Sequence, residues 1–286
     1  MNQALWKKSF LESRWLLLGC CVLMFAVHWL RVWVSSFFST SDLESMFSFM
    51  PELVENLMPV SFSQVASSAG RIAVAYDDPI VLLLVTVWAI SRGSDAVSGE
   101  LNRGTMEMVL AQPVTRLGVL WSQGAVTIGG AATLATIAWL GTTLGLTCVT
   151  LEDPVSPRIF IPAALNLFAM TVFIAGLTTM VSAGTNYRSR TIGIVGGFYA
   201  VSMIVKIVGR LAPGWKWLTY GSFFTPFEPQ PMVSNVATAW TLWTTKTNGS
   251  IQLGPLAYDS ILIGLGLACY LAATAIFCNR DLPAPL

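Results

Sequence analysis

Few residues in this 286-residue sequence are able to do chemistry. A single histidine, His28, excludes a His-Glu-x-x-His metal site and leaves an intramembrane Ser/His protease one conceivable base, with no Gly-x-Ser-x-Gly elbow beside it. His28 reads either as that base or as a polar side chain held inside a helix bundle near Arg31, and the second reading needs no chemistry. The five cysteines, Cys20, Cys21, Cys148, Cys269 and Cys278, fall in or beside apolar segments without a Cys-x-x-Cys pair, so they read as small hydrophobes. A Walker-type Gly-x-x-x-x-Gly-Lys-[Ser/Thr] is absent, and ATP is not bound by that route. The sequence therefore assigns this chain no catalytic residue, no metal ligand and no cofactor of its own.

Three polar features remain. Asp77 and Asp78 precede Pro79 inside the run RIAVAYDDPIVLLLVTVWAIS. They mark a cation path, because intramembrane carboxylates are costly and tend to be functional, or they cap a helix that starts at Pro79. Lys206, one turn before Arg210, is expected to snorkel to the outer headgroups. The densest charged segment is SDAVSGELNRGTMEMVLAQPVTR, residues 94–116, with Asp95, Glu100, Arg103, Glu107 and Arg116. Within it Gly104 breaks one helix and Thr105 can cap another, with Glu107 in the first turn, where the helix dipole favours an anion. Met106, Val109 and Leu110 share a face at i, i+3 and i+4, and Pro113 ends the run. Thr115 can cap the next segment, with Arg116 at headgroup level. A helix this short does not repay its nucleation in water and must dock on something, its own bundle, the lipid surface or a partner.

The elements that position these residues are set by composition. The chain is 54% hydrophobic and 11% charged, with a mean hydropathy of +0.65, against roughly a quarter charged for a soluble domain. It reads as an all-α polytopic membrane protein, one domain over 1–286. Crossing a hydrocarbon core takes about 20 helical residues, and six runs qualify: Trp15 to Phe38, Pro79 to beyond Arg92, Leu117 to Val149, Phe160 to Gly184, Thr191 to Val208 and Leu256 to Phe277. Residues 1–15, with Leu5, Trp6, Phe10 and Trp15 among Lys7, Lys8, Glu12 and Arg14, suit an amphipathic helix lying in the interface. Their apolar run continues past signal-peptide length and is expected to be retained. The third run is crowded with Gly and Ala, which permit close helix approach in lipid.

Between the fifth and sixth runs, residues 210–256 are rich in Trp, Phe and Pro, and short helical or re-entrant elements are expected there. Phe223, Phe224 and Phe227, with Trp215, Trp217 and Tyr220, suit a membrane interface. Asn248-Gly249-Ser250 matches a glycosylation acceptor, which has meaning only in a eukaryotic secretory context. Six spans put both termini on one side. Nine Lys and Arg fall in the segments on that side and seven in the longer segments opposite, so the positive-inside rule favours cytoplasmic termini. A net charge of +1 with no basic block gives no reason to expect a nucleic-acid partner.

The order Glu100, Gly104, Thr105, Leu110, Pro113, Arg116 resembles the signature of ABC-2-type transporter permeases, in which Glu-x-Glu-x-Gly-Thr is followed by a short apolar helix and Pro-x-x-Arg. It departs from that pattern at Leu101, where a basic residue is common, and at Asn102, where a second Glu is usual. The likeness extends along nearly the whole chain and is nearest to permeases of nitrous-oxide-reductase maturation, sodium and drug export systems. It implies a membrane subunit of an ATP-driven exporter in a bacterial or archaeal cytoplasmic membrane, pairing with a second copy or a homologous permease. It also implies cytoplasmic ABC ATPase subunits that carry ATP and magnesium. On this likeness loop 92–116 is the coupling helix, with Glu100, Gly104, Thr105, Met106, Glu107, Val109, Leu110, Pro113 and Arg116 as its coupling residues. The aromatic segment, with Phe223, Phe224 and Phe227, and Asp77 and Asp78, would then belong to a gate or translocation path. Trp240 and Trp243 would border an exit for a lipid-like substrate. A scaffold or signalling membrane subunit, and an intramembrane enzyme, are the alternatives.

Overall fold

The computed structural model of the chain describes residues 3–47, 61–245 and 251–280. Six helical stretches among them are long and apolar enough to cross a membrane. The first is α1 (Gln3–Ser35). The interfacial helix expected over residues 1–15 is not a separate element: the described part, from Gln3, runs unbroken into the first span, because no Gly or Pro intervenes before Gly19. Its polar residues instead serve the packing, and Ser9 and Ser13 are buried against the rest of the chain.

Short helices α2 (Thr40–Phe47), α3 (Phe62–Ala66) and α4 (Ser68–Ala73) follow, then a 3-10 turn, Val74–Asp77. The second span is carried by α5 (Pro79–Ser94). It starts where expected: Asp78 has extended backbone, its carboxylate accepts from the Ile80 amide at 2.9 Å, and Pro79 occupies the first position, where no N–H is missed. The helix passes Arg92 and continues as a π-helical turn, Asp95–Gly99, and a last turn, Glu100–Asn102. Beyond the loop come α6 (Met106–Leu110), α7 (Arg116–Cys148), α8 (Ile161–Gly184, entered by a 3-10 turn, Pro157–Phe160) and α9 (Arg188–Leu211). At 1.5 Å per residue, the 33 residues of α7 extend about 50 Å, longer than a bilayer core.

The segment before the last span contains the 3-10 stretch Pro213–Gly221, α10 (Pro229–Ser234) and α11 (Val236–Ala239), the short helices expected. It also forms an antiparallel hairpin, β1 (Trp243–Thr245) with β2 (Ile251–Leu253), in register Trp243 to Leu253. The sequence carried the signal for it: aromatic and β-branched residues flank Asn248-Gly249, a strong short hairpin cue. That dipeptide and Ser250, the candidate glycosylation acceptor, lie outside the described residues. The last span is α12 (Pro255–Asn279).

Helix α8 is the hub. Most of its residues are buried, and it packs on α12, α5, α7 and α9. Small residues set these approaches: a Cβ added at Gly176 of α8 would fall 2.3 Å from the Gly266 carbonyl oxygen of α12. Likewise the Trp88 ring lies over Gly130, and its Nε1 donates to the Thr127 carbonyl at 3.0 Å, which joins α5 to α7. His28 is fully buried between α1 and its neighbours. Its Nδ1 donates to the Met24 carbonyl at 2.9 Å, and its ring meets Tyr76 edge-on at 4.7 Å. No carboxylate or hydroxyl among the described residues bonds it, so the geometry is that of a packed side chain and not of an oriented base.

Candidate functional site

The loop after the second span is built by backbone geometry first. The last turn of that span ends in two reversed hydrogen bonds: the Thr105 amide donates to the Glu100 carbonyl and the Gly104 amide to the Leu101 carbonyl, both at 3.0 Å. This is a Schellman stop, and it requires a left-handed residue at its penultimate position. Gly104 supplies it with φ +69°, the only positive φ among the described residues. A side chain there would meet open space, so the need for glycine is conformational.

Glu100 is the anchor of the loop. Its carboxylate is buried, accepts from Lys8 Nζ of α1 at 2.8 Å and from the Thr105 hydroxyl, and lies 3.5 Å from Arg103. Thr105 therefore does not cap α6 through its side chain, as expected from sequence, because its hydroxyl is spent on Glu100. Charge-assisted bonds of this kind are about twice as strong as neutral ones, and here they fix the loop to the first helix.

Sequence reasoning missed the neighbours of this anchor. Arg103 donates to Asp95 at 2.6 Å, and Arg188 of α9 and Arg92 both approach Asp95 at 3.7 Å. Arg92, itself buried, donates to Ser9 of α1 at 2.9 Å. Partial burial works against the Arg103 charge, but the bond and charge of Asp95, with Glu100 and Glu12, outweigh it and hold the guanidinium above its ordinary value. The π turn has its own support. Ser182 of α8 accepts from the Val97 amide at 3.3 Å and the Ser98 amide at 2.9 Å, and donates to the Ser94 carbonyl at 3.1 Å. One hydroxyl thus serves three backbone groups of the widened turn.

The apolar face of α6 finds its partner within the chain. Met106 is buried among Ala96, Val97, Leu120, Ala183, Ala273 and Phe277, with Leu110 packed at the edge. Val109 is half-buried beside Leu5 and Lys8 of α1. What faces outward is different: Glu107, Met108, Ala111, Gln112 and Pro113 are exposed, Met108 to 65%. On the far side Thr115 caps α7 by accepting from the Gly118 amide at 3.1 Å, as expected. Arg116 does more than sit at headgroup level. It donates to the carbonyls of Phe277 at 3.2 Å and Arg280 at 2.7 Å, closing the C-terminal end of α12. Arg280 in turn donates to the Ala183 carbonyl at 2.8 Å and to Asn186, closing the end of α8.

The remaining candidates lie at the opposite end of α5 and are not brought to the loop. Asp78 caps α5 and pairs with Arg31, while Asp77 meets Gln230 of α10 at 3.5 Å. Phe223 stacks on Phe224 at 4.5 Å and on Phe198 at 5.4 Å and touches Phe173 at 5.1 Å; Phe224 and Phe227 are buried. Lys206 does not simply snorkel: its ammonium donates to the carbonyls of Phe224 at 2.7 Å and Phe227 at 3.0 Å and ties the aromatic segment down. Asn166 of α8, also missed, donates to Asp259 of α12 at 2.6 Å and to the Pro226 carbonyl at 3.0 Å. Two polar residues inside apolar runs were the signal available for that contact.

Among the described residues no group of His, Cys, Asp and Glu could hold a metal ion. Against known proteins, the family model described as ABC-2 family transporter protein matches residues 5–282. No curated protein matches the chain.

Proposed function

The chain belongs to the ABC-2 family of transporter proteins, and from that premise we propose that it is the permease subunit of an ATP-driven exporter, dimeric and coupled through loop 92–116 to separate ABC ATPase subunits. In this reading the loop and both termini face the cytoplasm, and ATP and magnesium belong to the partner's site. The observation that carries the proposal is the division of labour in the loop. Glu100, Gly104, Thr105 and Met106 hold its shape from inside, while Glu107 and Met108 stand outward on a helix too short to keep its form alone.

Glu100 and Met106 then act by positioning, and the partner contact falls to Glu107, Met108 and the turn through Ala111 to Pro113. Force on that turn reaches α5 through the π turn and α7 through Thr115, the two helices that flank the loop. Such motion suits rigid-body alternating access. At the opposite end Phe223, Phe224 and Phe227 form the gate. Asp78 is occupied by Arg31 and the helix start, which leaves Asp77, whose one hydrogen bond is the long contact from Gln230 at 3.5 Å, as the carboxylate of the path.

Co-expression with an ABC ATPase encoded by a neighbouring gene tests this. The complex is expected to survive detergent purification, and Met108→Arg is expected to lower ATPase stimulation by roughly tenfold or more, as for a central interface residue. Trp217→Ala, at the far end, should leave stimulation unchanged. The proposal fails if no ABC ATPase binds, or if Met108→Arg and Glu107→Arg together leave stimulation intact.

A further inference from the structure

The aromatic segment between α9 and α10 is held to the spans by side chains. Its own backbone bonds only close turns within it, from Ser222 to Thr219, Thr225 to Ser222 and Phe227 to Phe224. Ser222 donates to the Ser202 carbonyl of α9 at 2.8 Å, Asn166 of α8 to the Pro226 carbonyl at 3.0 Å, and Arg210 pairs with Glu228 at 2.8 Å. The Lys206 ammonium adds its bonds to the Phe224 and Phe227 carbonyls.

Lys206 and Asp77 are opposite charges that do not meet. Both are half-buried and each acts on the other through space, yet among the described residues neither makes an ion pair. Asp77 has only the 3.5 Å contact from Gln230, so its carboxylate is poorly satisfied, while Lys206 spends two of its three donors on neutral carbonyls. An ammonium gains the attraction of a full charge from a carboxylate and only that of a dipole from a carbonyl. A second arrangement, Lys206 on Asp77, is therefore available to charges already close, and the seated segment withholds it by engaging both. We propose that Lys206 and Asp77 exchange partners as the segment lifts: seated, Lys206 holds the Phe224 and Phe227 carbonyls and Asp77 holds Gln230; raised, Lys206 and Asp77 bond each other. The exchange strands neither charge in either position, which permits two discrete states. It deepens the reading of Phe223, Phe224 and Phe227 as a gate and rests on it.

The test uses the full chain in micelles, without an ATPase, and reads the rate at which a water-soluble maleimide labels Ser202→Cys on a cysteine-free background. Ser202 is 5% exposed and lies against Ser222, and the substitution keeps the carbonyl that Ser222 uses. Labelling therefore tracks the population in which the segment is raised. Asp77→Asn keeps an oxygen for Gln230 but brings no charge to Lys206. The exchange predicts slower labelling, by roughly tenfold or more, the scale of one charge-assisted bond. A carboxylate that only ties the segment down predicts labelling as fast or faster. In a Lys206→Gln background, Asp77→Asn should leave the rate unchanged. If Asp77→Asn does not fold, Asp77→Glu, with its charge on a longer stem, should speed labelling. The exchange is overturned, with the gate left standing, by a rate not lowered in folded Asp77→Asn, by an equal lowering when Lys206→Gln is present, or, where only Asp77→Glu folds, by a rate not raised there. Labelling of Ser202→Cys only after denaturation would mean that the segment does not lift, and would remove the gate as well.

Discussion

At the scale of single residues, the loop rests on one backbone angle and one buried carboxylate. Gly104→Ala places a Cβ on a residue at φ +69° with nothing nearby to clash. The cost is therefore the left-handed penalty alone, about 1–2 kcal/mol. Hydrogen exchange at the Gly104 and Thr105 amides should report it as a lower local opening free energy, and Gly104→Asn should cost less than Gly104→Ala because Asn tolerates that conformation. Glu100 differs, since its partners span two elements. A double-mutant cycle of Lys8→Met with Glu100→Gln is expected to show a coupling of about 1 kcal/mol or less, because Lys8 is more than a third exposed and water screens the pair. Additive effects would mean that the bond to Thr105, and not the ion pair, anchors the carboxylate.

At the scale of elements, the π turn Asp95–Gly99 is the place where the second span departs from regular geometry, and it is held by a hydroxyl from another helix. Ser182→Ala strips the Val97 and Ser98 amides of a buried partner, which costs about 1–3 kcal/mol. The two amides should exchange faster while Gly176-side contacts of α8 keep their protection; uniform loss of protection would mean that Ser182 supports α8 as a whole. The contrast with Thr115 shows what sequence could reveal. Asp78-Pro79, Gly104 and Thr115 are local signals, each legible because donor, acceptor and turn lie within five residues of one another. Ser182 is 84 positions from Ser98, and Lys8 is 92 from Glu100. No local pattern encodes such meetings, and a π turn has no residue type of its own. The apolar face of α6 was legible as a face, but what it docks on was not, because Phe277 and Ala183 come from helices that only the fold brings near. The hairpin was legible in principle through Asn248-Gly249, though the surrounding Trp, Phe and Pro read first as interface.

At the scale of the whole molecule, the spans divide into a hidden hub, α8, and helices that show broad apolar faces, α1, α9 and α12. Close backbone contact holds the hub, so Gly176→Val should separate α8 from α12 and lower the thermal unfolding midpoint by several degrees; an unchanged midpoint would mean that the two helices slide without loss. The orientation is tested in intact cells on a cysteine-free background: a membrane-impermeant maleimide should label Tyr220→Cys and spare Met108→Cys until the membrane is opened. The reverse pattern would place the loop outside and remove the ATPase from reach. The arginine closures at the end of the bundle that carries loop 92–116 have one more consequence. Arg116 grips the end of α12, and Arg280, at that same end, grips the end of α8. The three helix ends behave as a flange: a load applied where α7 begins is spread across α12 and α8 at once instead of bending α7 alone. Stiffness there is shared, so loosening the far rivet, as in Arg280→Ala, should soften the response to a push delivered at Met108, far away in the chain.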